Sequence, residues 1–345
     1  MKTRNWIAPA LVLAGLSTLP SFAQMPAKPD PQMKQVLDSL ASLHPKPIET
    51  LTPAQARKQP GPPDAVKALL KKQGKSTAPE HVAKVENRTV PGPAGPIPVR
   101  VYTPEGSGPF PVLVYFHGGG WVIAGVQAYD STPRALANLA KCVVVSVGYR
   151  MAPEHRFPAA HMDSYAATQY IMNHTAEFGG DPKHVAVGGE SAGGNLAASV
   201  SIMARDKKGK MPVYQMLVYP VSNYGFDTPS YIENAKAKPL NKPMMKWFFK
   251  YTVSSPKDAS NPYLSINREK NLHGLPPATV ITDQIDPLRS EGKTYADHLK
   301  AAGVPVQYRN YDGVTHEFFG MGAVLDKAKA ANAFAADGLK SAFSK

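Results

Sequence analysis

Val185-Ala186-Val187-Gly188-Gly189-Glu190-Ser191-Ala192-Gly193-Gly194-Asn195 decides how the rest of the chain is read. Its first three residues are a short apolar run, as in a strand buried on both faces, and an Ala-rich pattern of 3.6-residue period then predicts a helix over 192–205. Between the two, Gly189-Glu190-Ser191-Ala192-Gly193 must turn the chain sharply. Small residues on both sides of Ser191 allow that turn and lift the hydroxyl above the end of a sheet, which is how a strand-turn-helix presents a nucleophile. Read without function, the same five residues are a glycine-rich helix start, and ~0.15 such matches are expected by chance in a chain of this kind.

The alternation continues outward in both directions. Apolar runs at 99–102, 112–116, 143–147, 214–219, 278–282 and 306–311 predict further strands, most of them continuous, and helical patterns at 132–140, 159–174, 290–302 and about 323–343 separate them. This is the α/β class, a mostly parallel sheet flanked by helices. Two segments depart from the rhythm. Residues 30–85 carry amphipathic candidates such as Met33, Leu37, Leu40 and Leu43, and no strand is expected there. The segment between Tyr219 and Ala278 is longer than a connector requires and long enough to cover a pocket. Within it Asn241 can cap a helix with Pro243 in its first turn, placing Met244, Trp247, Phe248 and Tyr251 on one face and Lys242, Lys246 and Lys250 on the other.

Two more loops carry chemistry. His117-Gly118-Gly119-Gly120-Trp121 follows the strand at 112–116, and three glycines there let backbone N–H groups approach a reacting group, as an oxyanion hole requires. Chance occurrence of this loop together with the serine turn is about one in a thousand chains. His117 reads as loop architecture, because the chain order serine, acid, histidine puts the base later. Thr282-Asp283-Gln284-Ile285-Asp286-Pro287 and Gly313-Val314-Thr315-His316-Glu317 both follow strands and reach the carboxyl edge of the sheet, so His316 is the expected base. Asp283 and Asp286 both stand on the acid loop. Pro287 biases the backbone of Asp286 towards an extended conformation and favours it as the acid, whereas Asp283, at the expected strand end, is suited to cap the turn.

These motifs, with Tyr149-Arg150-Met151-Ala152-Pro153-Glu154-His155-Arg156-Phe157-Pro158-Ala159, Asp286-Pro287-Leu288-Arg289-Ser290-Glu291-Gly292 and the run 311–319, resemble the bacterial hormone-sensitive-lipase family of esterases, from about Pro29 to the C-terminus. The resemblance implies an α/β-hydrolase fold with a helical cap, a triad of Ser191, Asp286 and His316, and an oxyanion hole of the Gly118, Gly119 and Ala192 N–H groups. It implies hydrolysis of short to medium acyl esters with no cofactor and no metal. It also implies a division into an N-terminal arm and cap helices (24–85), a first core part (86–220), a cap insertion (221–262) and a second core part (263–345). Ser290 departs from the aspartate often found there, and Glu190 reads as a positioning group hydrogen-bonded near the serine turn. The alternatives are a non-catalytic ligand-binding protein on the same scaffold, which would be expected to lose the base or the nucleophile, and a lipase or peptidase of the same fold.

Composition bounds the rest. The 345 residues are 43% hydrophobic and 19% charged, which excludes general disorder. Nine of the 34 prolines crowd into residues 25–63, and a second group into 91–111, stretches that read as connectors or extended arms. The net charge of +13 contains no Lys/Arg block longer than two and no aromatic-basic interleaving, so a solvated basic surface is expected and no nucleic-acid partner. Lys2 and Arg4, an apolar run at 7–16 and Ser21-Phe22-Ala23 form a signal peptide over 1–23, so an exported protein, periplasmic or secreted, with no integral membrane segment after its removal is expected. The lone Cys142 opens an apolar run and reads as a buried thiol. Glu154, His155 and Asp163 lack the spacing of metal ligands. The expected partner is a small-molecule ester, and a homo-oligomer is compatible with these features.

Overall fold

Strands buried on both faces are what the continuous apolar runs become. The computed structural model describes Met1 and residues 27–345. In chain order its first half contains α1 (Pro31–Ser42), α2 (Pro53–Ala56), α3 (Pro62–Lys72), β1 (Lys84–Val90), β2 (Ile97–Thr103), β3 (Phe110–Phe116), α4 (Ser131–Ala140), β4 (Val143–Val147) and α5 (Ala159–Asn173). The second half contains β5 (Gly180–Glu190), α6 (Ala192–Asp206), β6 (Gln215–Val218), α7 (Pro229–Glu233), α8 (Lys242–Thr252), α9 (Pro256–Ser260), β7 (Ala278–Ile285), α10 (Arg289–Ala301), β8 (Val306–Thr315) and α11 (Asp326–Phe343). The strands form one sheet in the order β1-β2-β4-β3-β5-β6-β7-β8. The β1–β2 and β2–β4 pairs are antiparallel and the remaining pairs parallel.

Alternate residues of each central strand serve opposite layers. Val112, Val114 and Phe116 of β3 share a core with residues of α5, α6, α8 and α10, whereas Leu113 and Tyr115 share one with residues of α1, α3, α4 and α11. Neither face meets water, so no polar alternation is written into these strands. Cys142 lies in the second of these cores, and burial pushes its thiol up to about 12.

Three expectations need correction. β1 lies where the sequence shows no strand pattern, because it is the antiparallel edge strand and Lys84, Glu86, Asn87 and Arg88 leave it without an apolar run. The proline-rich stretch is not a simple connector. Pro31, Pro53 and Pro62 each stand at a helix start, where the missing N–H costs no hydrogen bond, behind Asp30 (which accepts from the Met33 N–H at 2.8 Å), Thr52 and Gly61. Asp283 lies inside β7, which runs on to Ile285, rather than at its end.

In the insertion Asn241 caps α8 as expected, accepting the Met244 N–H at 2.9 Å, but the buried face also takes in Met245 and Phe249, while Met244 and Tyr251 are only partly covered. The N-terminal segment meets this helix through Leu51, whose carbonyl accepts the Trp247 Nε1–H at 2.9 Å. α1 and α3 instead pack with the layer of α4 and α11. No helix among the described residues is long and apolar enough to cross a membrane. The expected signal peptide lies, apart from Met1, outside the described residues.

Candidate active site

Parallel strands deliver their following loops to one edge, so the loops after β3, β5, β7 and β8 converge there. The loop after β5 is the tightest. Ser191 takes φ 58° and ψ −118°, a region disfavoured for a residue with a side chain, and α6 begins at the next residue. A Cβ on Gly193 would fall on the Phe116 carbonyl, so only glycine lets β3 and the start of α6 approach so closely. The turn is thereby held by packing on both sides.

His316 bridges the other two expected residues. Its Nδ1 lies 2.8 Å from Asp286 Oδ2 and its Nε2 lies 2.9 Å from Ser191 Oγ. A carboxylate only accepts, so Nδ1 carries the proton and Nε2 accepts from the serine hydroxyl. Asp286 Oδ1 takes the Leu288 N–H at 2.9 Å, so the turn-capping role considered for Asp283 falls to Asp286 itself. The acid loop is braced from the insertion. Asn234 Nδ2 donates to the Asp286 carbonyl at 3.2 Å, Arg289 pairs with Glu233, and Ser230 and Ser290 exchange hydrogen bonds of 3.0 and 3.1 Å. Ser290 thus holds a place in this brace.

After β3, Gly119 has φ 96° and Trp121 φ 60°, so the chain loops back and the Val122 and Ile123 N–H groups close on the Gly119 carbonyl. No described residue accepts the N–H of Gly118 or Gly119, and Ala192, first residue of α6, offers one of the helix's unpaired N–H groups. His117 is buried, stacks on Tyr149 at 4.3 Å, bonds the Gly118 carbonyl through Nδ1, and is pushed down to about 4 by burial. It shapes the loop as a neutral ring. The insertion lies over this loop, with Phe248 against Gly120 and Trp121 5.8 Å from Phe249.

Ser191 is 5% exposed, His316 3% and Asp286 0%, so the charges interact through protein rather than water. Burial by itself would lower the His316 pKa. Attraction and hydrogen bonding to Asp286, with the charges of Glu317 and Glu190, outweigh it and hold the imidazole above the ordinary histidine value. Burial pushes Glu190 up to about 7, with Glu317 adding to the shift and the hydroxyls of Tyr115 and Tyr219, which bond its two oxygens, opposing it. Asp283 is fully buried without a hydrogen-bond partner for either oxygen, and burial and the Asp286 charge drive it well above the carboxylate range, towards its neutral form.

Among the described residues one group could hold a cation, Asp283, Asp286 and His316, with ligand atoms within 4.8 Å of one another. Asp286 and His316 already spend those atoms on each other and Asp283 is driven neutral, a poor donor set. Glu154 and Asp163 are each bound by an arginine, Arg57 and Arg150 respectively. No local pattern assigned a role to Tyr115, Tyr129, Tyr219 or Glu317, all of which lie beside the site.

Comparison with known proteins agrees with this architecture. A family profile described as alpha/beta hydrolase fold matches residues 113–320. The carboxylic ester hydrolase LipN of Mycobacterium tuberculosis is 41% identical over 243 residues, 69% of this chain and 65% of LipN. The carboxylesterase NlhH of the same organism is 39% identical over 251 residues, 71% of this chain and 78% of NlhH. A hyperthermophilic esterase from the archaeon Pyrobaculum calidifontis superposes with a TM-score of 0.83 at 39% identity, covering 92% of this chain and 99% of that one. The chain belongs to the hormone-sensitive-lipase family of esterases within the α/β-hydrolase fold.

Glu190 supplies a test of the buried electrostatics. An acid whose pKa is higher folded than unfolded takes up a proton on folding, so its contribution to stability is full below the unfolded value near 4.5 and is lost as pH rises through about 7. Denaturant unfolding of wild type and Glu190→Gln across that interval should show the wild type losing stability relative to the variant as pH rises. Parallel curves would mean that Glu190 ionises normally.

Proposed function

We propose that the protein is a carboxylesterase acting on short to medium acyl esters through a covalent acyl-enzyme, with Ser191, His316 and Asp286 as its triad. The observation that carries the reading is the His316 imidazole bonded at one nitrogen to Asp286 and at the other to Ser191 Oγ, a serine held at positive φ on a strand-helix turn. Ser191 Oγ attacks the ester carbonyl as His316 Nε2 takes its proton, and Asp286 holds the tautomer and stabilises the imidazolium. The Gly118, Gly119 and Ala192 N–H groups receive the negative charge that moves onto the carbonyl oxygen. Collapse of the tetrahedral intermediate breaks the bond to the alkoxy group, which leaves as the alcohol with the proton from His316. Water then attacks the acyl-serine by the same route, releasing the acid and restoring Ser191.

Chain-length preference follows from the insertion. Phe248 presses on the glycine loop and the serine is almost closed off, which favours small acyl groups. Purified protein assayed on 4-nitrophenyl esters from acetate to palmitate should turn over butyrate or hexanoate far faster than palmitate, with Ser191→Ala inactive. The acid limb of kcat/KM should lie above the ~6.5 of a free histidine, because the raised His316 pKa keeps the base protonated to higher pH. Preference for palmitate would favour a lipase, and activity surviving in Ser191→Ala would contradict the triad.

We also propose that the mature enzyme lies in the periplasm or outside the cell. Its support is the charged, apolar and small-residue zones of residues 1–23. N-terminal sequencing of exported material should begin at Gln24, and a start at Met1 would refute export through this segment.

A further inference from the structure

Glu317 follows the base directly and holds a conformation that disfavours a side chain, with φ 73°. It nevertheless carries one, and the side chain is aimed inward, 20% exposed. Its Oε1 accepts the Tyr129 hydroxyl at 2.6 Å and lies 3.9 Å from His316 Nε2. Tyr129 in turn stands against the glycine loop, its hydroxyl so close to Gly118 that a Cβ there would collide with it, and its ring lies 5.9 Å from that of His117. One carboxylate therefore stands beside the His316 imidazole and, through Tyr129, reaches the glycine loop.

We propose that Glu317 is a positioning residue for ester hydrolysis: through the Tyr129 hydroxyl it clamps the loop carrying His316 to the glycine loop, and it stands beside the imidazole nitrogen that receives the Ser191 proton. The proposal rests on the triad reading. The clamp fixes the distance between the base and the N–H groups that face the oxyanion, two parts carried on loops after β8 and β3. It also places charge where charge develops, since in the active, neutral-imidazole form the imidazolium arises as Ser191 attacks. The other groups around the imidazole are Asp286 and Asp283 from β7 and its loop, Glu190 from the serine turn, and Tyr219 after β6, whose ring lies 4.5 Å away. Burial drives Asp283 towards its neutral form and pushes Glu190 up to about 7, and the charge Glu190 retains also raises the imidazole. It raises the Glu317 pKa also, and the attraction of His316 opposes that rise, so this carboxylate is best stabilised when the imidazolium is present.

Replacing Glu317 by glycine removes the clamp and suits the left-handed backbone, so folding should be retained and lost activity cannot be put down to misfolding. Glu317→Gly should lower kcat by ~10-fold or more with KM little changed. In a Ser191→Ala background, NMR titration of the His316 imidazole should show its pKa reduced by about one unit on the same substitution. Glu317→Gln, which keeps an acceptor for Tyr129 but no charge, should lower that pKa likewise and lose less kcat than the glycine variant. A folded Glu317→Gly with wild-type kcat, or with reduced kcat but an unchanged His316 titration, overturns the proposal. A wild-type protein without esterase activity would sink the triad reading instead, and the His316 titration would then decide the clamp alone.

Discussion

The backbone of Ser191 cannot relax without taking the site with it. A serine at φ 58° costs of order 1–3 kcal/mol and persists only where its surroundings over-determine it. Here β5 is wedged between β3 and β6, α6 starts at the next residue, and the glycine at 193 lets the helix start sit on the Phe116 carbonyl. The same contacts set the position of the glycine loop, which leaves β3 at Phe116. Ser191 and the Gly118, Gly119 and Ala192 N–H groups are thus parts of one packed corner, and His316 and Asp286 arrive there because β7 and β8 end at the same edge.

Crowding acids around one histidine has its own cost. Two ionised carboxylates within 4.8 Å repel by roughly 3–4 kcal/mol at an effective dielectric near 20, more than a domain of marginal stability readily absorbs. The conflict is resolved by dividing labour. Asp286 accepts the histidine N–H and the Leu288 N–H, while Asp283, with no donor, is driven towards its neutral form. Glu190 has two tyrosine hydroxyls in place of a cation and is left near its midpoint at neutral pH. The imidazole, raised by the remaining charge, is a stronger base than an isolated histidine.

What was legible in the sequence was what local constraint writes there. The runs at 112–116 and 143–147 announce strands because both faces are buried, and the serine turn announces itself because only small residues can make it. Asp286 could be preferred to Asp283 because proline follows it. β1 escaped because an edge strand with one wet face has no apolar run to show. The clamp between Tyr129 and Glu317 spans 188 positions, and the Tyr115–Glu190 bond spans 75, so no local pattern connects them. The left-handed backbone at 317 was hidden for a simpler reason, since the residue that normally marks such a position, glycine, is absent.

The central claim is that Ser191 is a nucleophile activated by His316, and covalent trapping tests it most directly. Incubation of the purified protein with an activated 4-nitrophenyl phosphonate, followed by peptide mass spectrometry, should give one adduct, on Ser191, with stoichiometric release of 4-nitrophenol. The same treatment of a folded His316→Ala variant should label Ser191 slower by a factor of ~10³ or more. Stoichiometric labelling of a different residue, or labelling of Ser191 at the wild-type rate without His316, would contradict the account.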